Sequence, residues 1–260
     1  IGMSQGLTPK IADAHVNGRE HEKASLLKNS FLLNLGSSCL LYVLILCGMG
    51  MLQYFDQPAD VVELARPFLN VIALSLIPLS VFFSFKQYCE GLSNTRAAMY
   101  ISLSGNLLNV VLNYGLIFGK LGMPQMGYLG AAWATFISRV FMAVAFFIYM
   151  YNHAELKKVF HSIKAVKINK PQQRLLFKMG IGPAVQYIFE VASFVIAGFM
   201  AGWLGKETFA SHGIALSIAS FTYMFASGIS GASSIRVANF RGLNDRLNVK
   251  KAGLSGLLLA

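Results

Sequence analysis

The stretch FLLNLGSSCLLYVLILCGMGML, residues 31–52, contains no charged side chain. As an α-helix it is long enough to cross the hydrocarbon core of a bilayer, which is about 30 Å thick. A soluble helix of this length needs a polar face, and this stretch lacks a continuous one. It therefore predicts a membrane-spanning helix and argues against a soluble protein.

Apolar runs of similar length recur along the chain. Together they predict six complete spans, at residues 31–52, 64–85, 97–118, 130–151, 180–204 and 209–238. Overall, 55% of the residues are hydrophobic and 13% are charged, whereas about 25% are charged in ordinary soluble domains. A partial span precedes His15 and another begins near Lys251, so we expect a piece of a longer protein, truncated at both ends. The sequence predicts an all-α polytopic membrane protein.

The basic residues lie between the apolar runs, in alternate connectors. The first, third, fifth and seventh connectors hold 16 Lys and Arg residues, and the three between them hold two. These four basic connectors are residues 15–28, 86–96, 153–178 and 239–251. The positive-inside rule places them in the cytoplasm. The formal net charge of +11 is thus a topology signal, and we expect no nucleic-acid partner.

The first and last segments of the chain repeat each other. A shift of 226 residues places Gly2, Ser4, Ala12 and Asp13 on Gly228, Ser230, Ala238 and Asn239. Six spans separate the two segments, so the repeated units share one orientation, related by an axis along the membrane normal. We predict an N-terminal lobe at residues 1–152, a cytoplasmic linker at 153–178 and the start of a C-terminal lobe at 179–260.

Glu190 is the one acidic residue near the middle of a predicted complete span. A charge at the bilayer centre costs at least about 2.5 to 3.5 kcal/mol, so such residues are rarely kept without a function. Gln186 and Ser193 share its helical face. We predict that Glu190 couples transport to Na⁺ or H⁺, with Gln186 and Ser193 as further oxygen ligands. The alternative is a structural acid that is hydrogen-bonded between helices.

A second polar feature is a stripe along the span at residues 97–118. The spacings of four, three and four residues put its members on one helical face: Ser102, Asn106, Asn109 and Asn113. Amides that face lipid would lack hydrogen-bond partners, so the stripe must face other helices or a cavity. Both interpretations stay open: helix–helix contact, or a cavity lining that binds cations or substrate.

Other polar and aromatic residues of the spans have less specific interpretations. Arg139 interrupts its span and could extend towards the interface, pair with an acid or face a cavity. His212 lies near the outer end of its span, where it could be packed or could transfer protons. Aromatic residues such as Phe221 and Tyr223 suit either a cavity for flat organic cations or ordinary packing. The chain shows no nucleotide-binding loop, zinc-ligand spacing or catalytic triad, so we expect a protein that is not an enzyme.

Five stretches carry a resemblance to a known family. They are LTPKIADAHVNGR (7–19), CEGLSNTRAAMYISLSGNLLNVVLNYGLIFGKLG (89–122), GYLGAAWATFISR (127–139), FEVASF (189–194) and SGISGASSIRVAN (227–239). Together they resemble the multidrug and toxic compound extrusion (MATE) transporters, and within them the NorM-type branch. The resemblance implies twelve spans in two six-helix bundles related by pseudo-two-fold symmetry. This chain would cover the end of the second span to the start of the ninth.

The resemblance also implies a function and a set of site residues. The family exports organic, often cationic, drugs and solutes in exchange for Na⁺ or H⁺ by alternating access. Glu190 matches the carboxylate of its seventh span, Asn109 and Asn113 match a pair in its fifth span, and Thr135 matches a residue of the same first-lobe cluster. Asn113 departs from members with Asp there, so it could coordinate a cation but could not carry a proton.

Further expectations follow from the resemblance. We expect a multi-pass protein of the cell inner membrane, a monomer in contact with lipid, with a small-molecule substrate and no cofactor besides the coupling ion. A flippase for lipid-linked sugars from the same superfamily is the alternative, but it would need a more basic cavity than Arg139 alone provides. A channel or receptor would need a pore motif, and a membrane-embedded enzyme would need His or Asp clustered across spans.

Overall fold

The regular structure of the chain is helical. The computed structural model describes residues 6–50, 59–243 and 245–259, and its regular elements in these ranges are all helices. In chain order they are α1 (Leu7–Val16), α2 (Glu20–Gly50), α3 (Ala59–Leu74), α4 (Leu76–Gly91), α5 (Thr95–Phe118), α6 (Tyr128–Asn152), α7 (Ala154–Ala165), α8 (Lys170–Trp203), α9 (Lys206–Gly242) and α10 (Arg246–Leu259). The all-α prediction is confirmed.

Six helical segments are long and apolar enough to cross a membrane. They are Glu20–Gly50, Val62–Gly91, Thr95–Phe118, Tyr128–Asn152, Lys170–Trp203 and Glu207–Gly242. Each contains or closely matches one predicted span, so the predicted span count is confirmed for the described residues. The predicted end of the first complete span, at residues 51–52, and the repeat positions Gly2 and Ser4 lie outside the described residues.

The segment Val62–Gly91 is interrupted at Ser75, between α3 and α4. Pro78 lies in the first turn of α4 and has no N–H to donate to the carbonyl of Leu74. The Ser75 hydroxyl donates to the carbonyl oxygen of Ile72 at 2.6 Å. The break therefore lies three residues before Pro78, whose missing N–H interrupts the helical hydrogen bonds.

Two helices in the basic connectors begin at capping side chains. The Oδ1 of Asn169 accepts a hydrogen bond from the N–H of Gln172 at 3.2 Å, at the start of α8. The Oδ1 of Asp245 accepts one from the N–H of Asn248 at 3.1 Å, at the start of α10. The hydrogen bonds from Asn248 hold the pKa of Asp245 below its ordinary value.

Packing divides the chain into two compact units. The central unit comprises the described residues of His21–Glu90 and Asn94–Gln173, and the terminal unit comprises those up to Glu20, the Gly91–Ser93 turn and those from Arg174 onward. Helix α1 joins the later helices because it packs against α9. The predicted lobe boundaries at residues 152 and 178 were drawn from the order of the spans along the chain. This division into units does not test them, so they stay a prediction.

In the central unit, the predicted linker is bound to the first turns of α2. The Nζ of Lys28 donates hydrogen bonds to the carbonyl oxygens of Ile163 at 3.1 Å and Val166 at 2.6 Å, where α7 ends. A cation at this position satisfies carbonyls without helical partners and complements the negative end of the helix dipole. The α7 segment is therefore attached to α2 by a charged side chain.

Asn29, which is fully buried, continues this attachment. Its Oδ1 accepts a hydrogen bond from the N–H of Asn169 at 3.1 Å, and its Nδ2 donates to the Oε1 of Gln172 at 2.8 Å. The Ser25 hydroxyl donates to the same Gln172 oxygen at 2.6 Å. We call the contacts of Ser25, Lys28 and Asn29 with residues 163–172 the linker clamp. It holds the linker up to Gln173 within the central unit.

Candidate functional site

Glu190 lies in α8, inside the part of the helix that is apolar enough to span a membrane. Its side chain is partly buried, and its sequence neighbours Phe189 and Val191 are 69% and 57% exposed. A carboxylate in such apolar surroundings needs a hydrogen-bond donor, a proton or a cation. The structure therefore places Glu190 inside a membrane-spanning helix, as the sequence predicted.

The partner of Glu190 comes from the next helix. The phenol of Tyr223 on α9 lies near the Glu190 carboxylate, and Tyr187, one turn before Glu190, lies near Tyr223. All three residues belong to the terminal unit. A carboxylate with phenol oxygens around it offers the hard oxygen ligands that Na⁺ shares with other hard cations. The same carboxyl group can also hold a proton.

Sequence reasoning did not pair Tyr223 with Glu190. It treated Tyr223 only as one of several aromatic residues that could line a cavity. The available signal was the turn before α9, where Gly205 has a φ of 118° that favours glycine. This turn reverses the chain, so residues at similar distances on its two sides come to similar depths. Glu190 and Tyr223 meet this condition.

The other two predicted ligands of the Glu190 site have different surroundings. The Ser193 hydroxyl donates to the carbonyl oxygen of Phe189 at 2.8 Å, within its own helix, and the side chain is exposed. Gln186 is also exposed. Their roles as oxygen ligands stay predictions, and Tyr223 is the residue that the structure adds to the site.

Asn109 and Asn113 form a pair on α5 in the central unit. The Nδ2 of Asn113 donates to the carbonyl oxygen of Asn109 at 2.9 Å and to its side-chain Oδ1 at 3.0 Å. This arrangement does not use the Oδ1 of Asn113, which is a potential ligand for a cation or a substrate N–H. Both side chains are partly buried, whereas that of Asn106, one turn earlier, is exposed.

Close packing of α5 against α6 sets the depth of Thr135. A Cβ on Gly130 would lie 2.6 Å from the carbonyl oxygen of Leu116, and the side chain of Met142 fills the space beside Gly105. Because Gly130 meets Leu116 and Met142 meets Gly105, α5 and α6 run antiparallel. Thr135 therefore lies level with the turn between Asn109 and Asn113.

The Thr135 hydroxyl itself donates to the carbonyl oxygen of Ala131 at 2.9 Å. The structure therefore pairs Asn109 with Asn113 directly and brings Thr135 to the same depth on the neighbouring helix. A shared cavity of the three side chains stays a prediction.

Arg139 follows Thr135 by one turn on α6, and its partner is a serine. Its Nη1 donates to the hydroxyl of Ser75 at 2.5 Å, and Ser75 is fully buried at the break between α3 and α4. This contact with a polar group inside the central unit is not one of the three interpretations that the sequence left open. The guanidinium thereby gives the buried Ser75 hydroxyl oxygen a charged hydrogen-bond donor.

His212 is partly buried near the start of α9. Its Nε2 is enclosed and has no hydrogen-bond partner among the described residues. The sequence had suggested that such a histidine is usually packed and hydrogen-bonded. The packing is observed, and the hydrogen bond at Nε2 is not.

The family profile named MatE matches residues 1–115 and 183–260, which is more than half of the chain. The chain belongs to the MatE family. A relative described as a probable multidrug resistance protein NorM, from Photorhabdus laumondii subsp. laumondii, is 28% identical over 241 residues, covering 92% of this chain and 53% of the relative. The chain therefore spans about half the length of this relative.

Solved structures of MatE-like proteins have the same fold. The eukaryotic MATE transporter AtDTX14 superimposes with a TM-score of 0.82 at 20% identity, covering 99% of this chain and 56% of that one. The MATE transporter NorM-NG, solved in complex with R6G and a monobody, gives a TM-score of 0.76 at 20% identity with the same coverage. The expected fold and the resemblance to the MATE family are thus confirmed, and the members of this family are transporters rather than enzymes.

Proposed function

We propose that the complete protein is a secondary active multidrug transporter of the cell inner membrane. It exports organic, mainly cationic, solutes in exchange for Na⁺ or H⁺ by alternating access. The observation that carries this proposal is the Glu190 carboxylate in a membrane-spanning helix with the Tyr223 phenol beside it. The multidrug resistance description of the NorM relative and the R6G complex of NorM-NG support the substrate class.

The coupling argument rests on the two states of the carboxyl group. A neutral carboxyl tolerates apolar surroundings, whereas an ionised one needs a cation, water or hydrogen-bond donors. If the environment of Glu190 differs between inward-facing and outward-facing states, a bound cation favours one of them. A ligand shifts a conformational equilibrium only through such a difference in affinity. A cation gradient can then drive the cycle in one direction.

The central unit contributes a polar site without an acidic residue. Asn109, Asn113 and Thr135 offer amide and hydroxyl groups, and these can bind substrate or a cation but cannot carry a proton between pH 5 and 8. We therefore assign proton or Na⁺ coupling in this chain to Glu190 and substrate contacts to the asparagine pair. Na⁺ is the metal ion that we expect at Glu190, and we expect no other cofactor.

The flippase alternative would require a strongly basic cavity for a lipid-linked phosphate. Arg139 is the residue that fits such a cavity best, and it donates to Ser75. This bond gives Arg139 a role within the protein, so no observation favours the flippase over the drug transporter.

The proposal is tested with the complete protein reconstituted in liposomes. The cationic dye rhodamine 6G (R6G) serves as substrate, and a Na⁺ gradient and a pH gradient are imposed separately. We expect dye movement against its own gradient under one of the two cation gradients, which identifies the coupling ion. Protein-free liposomes are the control. Dye movement that neither gradient accelerates would contradict the proposal.

A further inference from the structure

The ends of three spans meet in the terminal unit, at the basic connectors that the sequence places in the cytoplasm. Helix α1 ends in the first of these connectors, Gly91–Ser93 lies in the third, and α9 ends in the seventh. The side chains of α1 that pack there are buried, with Ile11 and Ala12 fully so. This contact closes one end of the unit and involves no residue of the Glu190 site.

Two glycines let the backbones approach closely at this point. A Cβ on Gly91 would lie 2.7 Å from the Cβ of Ile11 and 3.0 Å from the carbonyl oxygen of Thr8. A Cβ on Gly242, at the end of α9, would lie 3.2 Å from the Cα of Asp13. A larger residue at Gly91 would force the elements to shift, and one at Gly242 would fit only if Asp13 moved by a few tenths of an ångström.

A side-chain hydrogen bond joins the third and seventh connectors. The Nδ2 of Asn239 donates to the hydroxyl of Ser93 at 2.6 Å. Ser93 has a φ of 62°, which a residue other than glycine rarely adopts, so the turn is held in a strained conformation. The strain is consistent with a turn whose conformation depends on this contact.

The internal repeat relates two of the residues in this contact. A shift of 226 residues places Asp13 of α1 on Asn239 of α9, and both residues take part in the contact. Asp13 approaches Gly242 through its backbone, and Asn239 binds Ser93. Two residues that the repeat relates, Asp13 and Asn239, therefore both lie in this contact.

We propose that this arrangement is the cytoplasmic closing contact of the transport cycle, formed by the ends of α1 and α9 and the Gly91–Ser93 turn. The inference rests on the proposed transport function, because alternating access requires the cytoplasmic end to open when substrate enters. Opening breaks the Asn239–Ser93 hydrogen bond and separates Gly242 from Asp13. The close backbone approach at two glycines and the Asn239–Ser93 hydrogen bond can both form and break in every cycle.

The decisive experiment crosslinks the contact in the complete protein. Ser93→Cys and Asn239→Cys are introduced after replacement of the free cysteines Cys39, Cys47 and Cys89. A short thiol-specific bifunctional reagent then joins the two new cysteines, and a reductant releases them. We expect gradient-driven R6G efflux to fall at least about tenfold on crosslinking and to recover on reduction. Equal efflux in the crosslinked and reduced states would overturn the proposal.

A second variant tests the proposal by the crosslinking rate alone, without a transport assay. In the cysteine pair, Gly242→Ala should slow crosslinking by about fivefold, because its Cβ would lie 3.2 Å from the Cα of Asp13 and overpacking of this kind costs about 1 kcal/mol. Gly213→Ala on the same helix is the matched control, because a Cβ there meets nothing within 4 Å. If both substitutions leave the crosslinking rate unchanged, the contact does not limit closure and the proposal fails.

The failure of this inference differs from a failure of the proposed function. A reduced protein that moves no R6G under either cation gradient would contradict the transport function. In that event the crosslinking rate tests the contact by itself. If Na⁺, pH and R6G all leave this rate unchanged, the contact is a permanent structural one and the inference is overturned. A rate that depends on one of them supports a contact that opens.

Discussion

The phenol of Tyr223 on α9 lies near the Glu190 carboxylate on α8. A hydrogen bond to a charged group contributes about 1.5–3 kcal/mol to stability. Because Tyr223 is 49% exposed, we expect the lower end of this range. The pair therefore gives the coupling site a second residue whose contribution can be measured.

Tyr223→Phe removes the phenol oxygen and keeps the ring. If Na⁺ is the coupling ion, we expect the Na⁺ concentration that gives half-maximal R6G efflux to rise about tenfold, which corresponds to about 1.4 kcal/mol, because one oxygen ligand is lost. If H⁺ is the coupling ion, the half-maximal H⁺ concentration should fall instead, because the donor that favours the ionised carboxylate is lost. The maximal rate at saturating cation should change less. Tyr114→Phe, at a 52% exposed tyrosine on α5, is the control. A Tyr223→Phe protein with the cation dependence of the wild type would show that the phenol is no part of the site.

Asn113→Ala tests the asparagine pair as a substrate site. It removes the group that donates to Asn109, so we expect the efflux rate per folded molecule to fall about 2- to 10-fold. Ser104→Ala is the control, because Ser104 is exposed on the same helix and bonds only to the backbone of Ile101 in the structure. If Asn113→Ala lowers the stability but not the rate, the pair is a helix–helix contact and not a substrate site.

Arg139 and Ser75 should be coupled energetically. A double-mutant cycle with Arg139→Met and Ser75→Ala, measured by unfolding of the complete protein in detergent, should give a coupling energy of about 0.6–1.7 kcal/mol, the range measured for hydrogen bonds between membrane helices. The same cycle with Ser102→Ala is the control, because the Ser102 hydroxyl donates to Ala98 on its own helix. A coupling energy near zero for the first cycle would mean that the bond to Ser75 contributes nothing.

Lys28→Met should loosen the linker clamp. It removes two hydrogen bonds from a charged donor, each worth about 1.5 kcal/mol or more, so hydrogen exchange at the end of α7 should become at least about tenfold faster. Lys158→Met removes the same charge from an exposed position on α7 and should leave the exchange unchanged. Identical exchange in the two variants would show that the clamp does not hold the linker.

The features that the sequence predicted well are those that depend on local pattern. The six spans follow from long apolar runs with few charges, and the structure agrees with them. Glu190 was identified because an acid inside an apolar run is recognisable without knowledge of its neighbours.

The features that the sequence missed are contacts between residues far apart in the chain. Arg139 and Ser75 are 64 residues apart, and Lys28 and Val166 are 138 apart. Hydroxyl and amide groups occur throughout the spans, so pattern alone could not select Ser75 as the partner of Arg139. The linker clamp was missed for the same reason, since a basic connector with a proline is equally consistent with a loose tether.

The central claim is that Glu190 is the cation-coupling group, and its substitution tests this claim most directly. Glu190→Gln keeps the shape of the side chain and mimics the protonated acid, whereas Glu190→Asp keeps the charge with a shorter reach. Both are made in the complete protein, and efflux is normalised to the amount of folded protein in the liposomes.

The measurement is the rate of R6G efflux from these liposomes under an imposed Na⁺ or pH gradient. The account predicts that Glu190→Gln folds and abolishes gradient-driven efflux, because the side chain can no longer exchange a proton or a cation. Glu190→Asp should retain part of the rate. Efflux by Glu190→Gln at the wild-type rate under the driving gradient would contradict the account and show that the acid is structural.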